Sequence, residues 1–91
     1  ITMKQNLTTE EYKQIEDIAN KAISAPNKKD AQRYMEKMRF LLSGYGSSIA
    51  TVLSKLYSST QAATGNIPDK SNRQYYVQCD LSSLRNFIKD E

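Results

Sequence analysis

Few side chains in this chain are of types that carry out chemistry, and those present lack the partners that chemistry requires. The chain has 91 residues, one cysteine and no histidine. Without histidine, the commonest general base and metal ligand are missing, and no imidazole-dependent triad can form. Cys79 therefore has no imidazole to activate its thiol. We expect a protein that is not an enzyme and that carries no metal or other cofactor.

The acidic residues and a glycine pair give no stronger signal for a catalytic centre. The chain has ten Asp and Glu residues, most of them at predicted helix starts or on polar faces, where solvated surface charge is the ordinary state. Gly44 and Gly46 follow no predicted strand and lack the lysine of a phosphate-binding loop. A break between two helices explains this pair better.

A row of basic residues on the second predicted helix is the main candidate for a binding surface. Lys29, Arg33 and Lys37 recur every four residues, and a helical wheel places Phe40 with them, opposite the apolar stripe. Cations beside an exposed ring are typical of protein contacts, because the charges pair with acidic groups and the ring supplies buried area. The same residues could contact phosphates and stack on a base. The alternative is a solvated basic face with Phe40 folded under a neighbouring helix.

The third predicted helix carries a second candidate surface of different character. Four small hydroxyl residues share the side opposite its apolar stripe: Ser47, Thr51, Ser54 and Ser58. Lys55 is the only charged residue between Gly44 and Asn66. Charge depletion is a feature of interface centres, so this face is the predicted seam of a homo-oligomer. The alternative is that serine and threonine are simply tolerated on a solvent-facing side.

Four helices position these surfaces. Capping residues and apolar stripes at helical spacing predict helices at residues 9–25, 28–43, 48–63 and 72–89. Thr8 and Glu11 form a capping box at the start of the first helix, and Pro26 ends it. Stripes joined by short loops predict an all-α fold, a small bundle of three to four helices.

The last helix competes with an extended alternative. Residues 74–79 have high β-propensity, but a lone strand would have nothing to pair with. An apolar stripe continues at helical spacing through Val77, Leu81, Leu84 and Ile88. We therefore expect one helix that starts at a capping box of Ser71 and Gln74, or a shorter helix capped by Asp80. Tyr76 and Phe87 flank the stripe and are expected to complete the core.

Size and composition limit the class of protein. Residues 3–91 are expected to form a single helical domain, with residues 1–2 as a remnant before a natural start at Met3. The hydrophobic fraction is 38% and the net charge is +3, which is typical of a globular chain and less basic than most nucleic-acid-binding domains. No apolar run is long enough to cross a membrane, and a single cysteine favours a reducing compartment such as the cytoplasm.

These observations together predict a non-enzymatic protein-interaction module. It would be a small adaptor, inhibitor or immunity-type protein that binds or occludes a partner protein, whose surface is acidic where it meets the basic row. Two alternatives remain open: a nucleic-acid-binding accessory protein that uses the same basic face, and an oligomeric structural component. A helix-turn-helix is disfavoured, because the basic row lies on the helix before the turn and the reading helix should follow it.

Overall fold

Four α-helices account for most of residues 3–90, the part of the chain that the computed structural model describes, apart from the side chain of Ser47. They are α1 (Thr9–Ser24), α2 (Lys28–Leu41), α3 (Ser47–Ala62) and α4 (Lys70–Leu84), followed by a 3-10 turn at Arg85–Phe87. The predicted small helical bundle is confirmed. The predicted remnant at residues 1–2 lies outside the described residues, as does residue 91.

The start of α1 follows from its capping residues. Thr8 Oγ1 accepts a hydrogen bond from the Glu11 amide (3.1 Å), and the Glu11 carboxylate accepts one from the Thr8 amide (2.8 Å). This is the predicted capping box, which satisfies two backbone donors near the helix start. The residues of the predicted apolar stripe of α1 are all buried: Tyr12, Ile15, Ile18, Ala19, Ala22 and Ile23.

The connection between α2 and α3 depends on a glycine in a left-handed conformation. Gly44 has a φ of 87°, which costs glycine little because it has no Cβ. It follows Leu42, the C-cap of α2. The chain then turns within a few residues and enters α3 after Gly46.

The last helix is helical through residues 74–79, but the predicted capping box of Ser71 and Gln74 at its start does not form. Residues 74–79 lie inside α4, so the extended alternative does not occur. The helix begins at Lys70 after Asp69, and Asp69 accepts a hydrogen bond from Arg73 Nε (3.0 Å) instead of capping the helix. The alternative of a shorter helix capped by Asp80 is also wrong, because Asp80 lies well inside α4 and is buried.

The predicted continuation of the last helix to residue 89 is wrong as well. α4 ends at Leu84, and Ile88 is extended. The reason is a backbone pairing with the start of the chain. The Leu7 amide donates to the Phe87 carbonyl (3.1 Å), and the Lys89 amide donates to the Leu7 carbonyl (2.8 Å). Ile88 still packs against the core. Its spacing in the apolar stripe therefore indicated correctly that it contacts the core, although the residue is not helical.

The helices pack chiefly as two pairs, α1 against α2 and α3 against α4. Buried side chains of all four helices join in one hydrophobic cluster, which also includes Leu7 and Tyr45. α2 and α3 contact each other less closely than the helices within each pair. This packing leaves the outer sides of α2 and α4 on different parts of the surface and opens a groove between α2 and α3.

Candidate protein-interaction surfaces

The predicted basic row lies along the outer side of α2. The buried stripe of this helix faces α1, so the opposite side faces solvent. Lys29, Arg33 and Lys37 are all exposed there. A rise of about 1.5 Å per residue spreads the row from Lys29 to Phe40 over about 16 Å. The structure thus places the predicted residues on one continuous helix face, which we call the basic face of α2.

Phe40 is the most exposed large hydrophobic side chain of the described chain. It is 69% exposed, so the alternative in which Phe40 folds under a neighbouring helix does not occur. The Arg39 guanidinium lies 5.9 Å from the centre of the Phe40 ring, within the range of a cation–π contact. The ring leaves a large apolar area in water, and contact with another surface would recover the hydrophobic free energy of that area.

The charges of the basic face are not neutralised within the described part of the chain. Lys29, Arg33 and Lys37 take part in none of the salt bridges found among residues 3–90. Of the two acids on α2, Glu36 accepts a hydrogen bond from Arg39 Nη2 (2.5 Å), and Asp30 accepts one from Asn27 Nδ2 (3.2 Å). The face is therefore net positive.

The residues of the predicted hydroxyl face of α3 do not all have the same surroundings. Thr51, Ser54 and Ser58 are exposed, while the side chain of Ser47 lies outside the described part of the structure. Ser54 and Ser58 line a groove of about 470 Å³ between the end of α2 and α3. The other walls of this groove include Arg39, Leu42, Leu53 and Tyr57. The two serines thus form the polar wall of a partly apolar groove.

Arg39 joins the groove to the basic face and is not among the residues that the sequence pattern indicates. Its guanidinium approaches the Phe40 ring and it also lines the groove. The spacing of every fourth residue that defines the basic row excludes position 39. The signal that could have found it is Glu36 three residues earlier, a spacing at which opposite charges meet on a helix.

A buried carboxylate lies between α3 and α4. Asp80 is 5% exposed; its Oδ1 is 3.7 Å from Lys55 Nζ, and its Oδ2 has no hydrogen-bond partner among the described residues. It lines a cavity of about 300 Å³ together with Ser59, Arg73 and Tyr76. The signal in the sequence was its spacing, because a residue three positions after Val77 lies on the core side of a helix.

The outer side of α4 carries exposed aromatic rings. Tyr75 and Tyr76 are 65% and 56% exposed, and their rings meet edge to face with centres 6.0 Å apart. The expected position of Tyr76 in the core is therefore wrong, whereas Phe87 does pack against the core. Cys79, one turn further along, is exposed. A hydrogen bond with Cys79 raises the pKa of Tyr75 above its ordinary value.

Among residues 3–90, no group of three or more Cys, Asp or Glu side chains is placed to hold a metal ion. None of the helices described here is long and apolar enough to cross a membrane.

No family model matches the chain, and neither a curated protein nor a solved structure matches it.

Proposed function

We propose that this protein is a non-enzymatic interaction module that binds an acidic surface of a partner protein through the basic face of α2. The observation that carries this proposal is Phe40, which is 69% exposed on the same helix face as Lys29, Arg33 and Lys37. These three cations form no salt bridge within the described chain. A small adaptor or inhibitor of this kind acts by occupying, and thereby occluding, part of its partner's surface.

The ring and the charges have different roles in such a contact. Phe40 supplies buried apolar area, and Arg33 can pair with a carboxylate through two parallel hydrogen bonds. Lys29 and Lys37 are more flexible point charges, which mainly accelerate association and exclude basic surfaces. We therefore expect Phe40 and Arg33 to contribute most of the binding free energy of this face.

The test replaces these two residues together. The double substitution Arg33→Ala and Phe40→Ala should weaken partner binding by at least about 30-fold, since two contact residues of this type contribute about 2 kcal/mol or more. Thermal unfolding should change little, because both side chains are exposed and such surface changes are usually within about 0.5 kcal/mol. The variant and the wild-type protein would be immobilised in parallel to capture proteins from the native source.

The control is Lys13→Ala, which removes one exposed positive charge from α1, as the double substitution does from α2. A protein retained by the wild type and by the control, but lost with the double variant, supports the proposal. Equal retention by all three baits, at intact folding, overturns it.

The nucleic-acid alternative gives a different result in a salt titration. Binding to a DNA duplex should weaken steeply between about 50 and 200 mM salt, with a slope set by the number of phosphates contacted. We expect no retention of DNA at the lower salt concentration. Salt-dependent DNA binding that is lost with Arg33→Ala and Phe40→Ala would assign the basic face to nucleic acid instead.

A further inference from the structure

The outer side of α4 has a pattern of large and small side chains that is complementary to itself. Its exposed residues run along α4 and continue into the 3-10 turn: Asn72, Tyr75, Tyr76, Cys79, Ser82, Ser83 and Asn86. None of these side chains carries a charge at neutral pH. Arg73, at the edge of this surface, is paired with Asp69 (3.0 Å). We call this surface the α4 outer face.

Large and small residues on the α4 outer face are placed symmetrically about Cys79. The two tyrosines lie three and four residues before Cys79, and two serines lie three and four residues after it. If two copies of α4 pack antiparallel with Cys79 opposite Cys79, Tyr75 of each copy meets Ser82 of the other, and Tyr76 meets Ser83. A two-fold interface requires this reciprocity.

From this pattern we infer that the protein self-associates through α4, as an antiparallel pair whose two-fold axis passes beside Cys79. The exposed tyrosine rings would each be buried over a small residue of the second copy. Serine and cysteine at the contact allow the helix axes to approach to about 8 Å, the lower end of the usual range. The neutral face also brings two copies together without charge repulsion, unlike the basic face of α2.

The α4 outer face differs in two ways from the α3 hydroxyl face predicted as a seam. It offers two aromatic rings, 65% and 56% exposed, whereas the α3 face offers small hydroxyl residues that supply little apolar area. Part of the α3 face also lines the groove toward α2. Self-association through α4 leaves the basic face of α2 free, because α2 packs chiefly on α1 and α4 packs chiefly on α3. The inference is therefore independent of the proposed partner.

The first test is the mass of the protein in solution. In sedimentation equilibrium under reducing conditions, from about 10 µM to about 1 mM, the average mass should rise from 10.4 kDa toward twice that value, as for a dimer of micromolar affinity. Tyr75→Glu combined with Tyr76→Glu should remain monomeric at every concentration and keep the thermal unfolding of the wild type, because both positions are exposed. A wild-type protein that stays monomeric throughout overturns the inference.

The second test fixes the position of the axis. Disulfides need Cα atoms about 4.4–6.8 Å apart, and the proposed axis brings the two Cys79 residues close together. Under mild oxidation, Cys79 should therefore link two copies at least about 10-fold faster than a cysteine that meets its counterpart only by random collision. The comparison is Cys79→Ser with Thr51→Cys, which moves the single thiol to the exposed α3 face. If the thiol at position 51 links as fast as Cys79 or faster, the α4 axis is refuted.

Discussion

At the scale of single residues, Asp80 is the side chain least suited to its surroundings. It lies on the core side of α4 beside Val77, Leu81 and Leu84, which are all buried. Its nearest cation, Lys55, has a side chain that is 77% exposed and 3.7 Å away. The desolvation of a buried carboxylate is offset only when close ionic and hydrogen-bond partners surround it, and here one oxygen has none among the described residues.

We therefore predict that Asp80→Leu stabilises the protein. The free energy of unfolding should rise by about 1–2 kcal/mol, because an apolar side chain removes the buried charge and the adjoining cavity of about 300 Å³ leaves room for it. Urea unfolding monitored by circular dichroism measures this change.

The matched variant is Lys55→Met, which leaves Asp80 buried without its cation. It should lower the free energy of unfolding modestly, by about 0.5–1 kcal/mol, since the lysine is largely in solvent. A destabilised Asp80→Leu variant together with an unaffected Lys55→Met variant would show that water, and not Lys55, already compensates the charge of Asp80.

At the scale of helices, the start of α1 shows how a local motif gains strength from a distant segment. Besides the capping box, the Glu11 carboxylate accepts hydrogen bonds from the Lys4 ammonium and from the Tyr45 hydroxyl (3.1 Å). The Lys4 ammonium, together with the Thr8 amide and the Tyr45 hydroxyl, holds the pKa of Glu11 at about 2, against an ordinary value of 4.5. The carboxylate is thus stabilised in its charged form by the fold.

This lowered pKa makes part of the stability depend on pH. A group whose pKa is depressed by folding stabilises the protein above its unfolded pKa and loses that effect as pH falls through its folded pKa. At pH 7, Glu11→Gln should therefore cost about 1–2 kcal/mol. The difference from the wild type should disappear as pH falls from about 4.5 to about 2.

Urea unfolding at several pH values measures this difference. Thr8→Ala serves as the comparison, because it removes a capping hydroxyl that does not titrate and should cost about 1 kcal/mol near neutral pH. A Glu11→Gln deficit that persists undiminished at pH 2 would contradict the assigned role of the charge.

At the scale of the whole molecule, the segment before α1 joins two distant parts of the chain at one end of the bundle. The Lys4 amide donates to the Gly44 carbonyl, and the Gly46 amide donates to the Lys4 carbonyl, each over 3.0 Å. Three residues later, Leu7 pairs with the chain after α4 and is 1% exposed. The segment thus links the α2–α3 connection to the C-terminal turn, two regions far apart in the sequence.

The burial of Leu7 predicts that Leu7→Ala is strongly destabilising. Loss of a fully buried leucine usually costs about 2–4 kcal/mol, a large share of the stability of a domain of this size. Met3→Ala, in the same segment but 53% exposed, should change the free energy of unfolding by no more than about 0.5 kcal/mol.

Amide hydrogen exchange measures the local part of this prediction. The Lys89 amide, which donates to the Leu7 carbonyl (2.8 Å), should lose protection in Leu7→Ala more than amides in the middle of α1 do. A cost below about 1 kcal/mol with unchanged protection of Lys89 would show that the segment is not part of the cooperative core.

The sequence by itself determined the four helices and the placement of the basic row, because capping hydrogen bonds and apolar spacing act between residues at most a few positions apart. Only the tertiary structure decided the exposure of Phe40, the end of α4 at Leu84 and the burial of Asp80. Each of these depends on elements that are distant in the chain: the packing of α2 on α1, the pairing of Leu7 with residues 87–89, and the contact of α3 with α4. A periodic pattern shows which side of a helix is apolar, but not how far a neighbouring element covers that side.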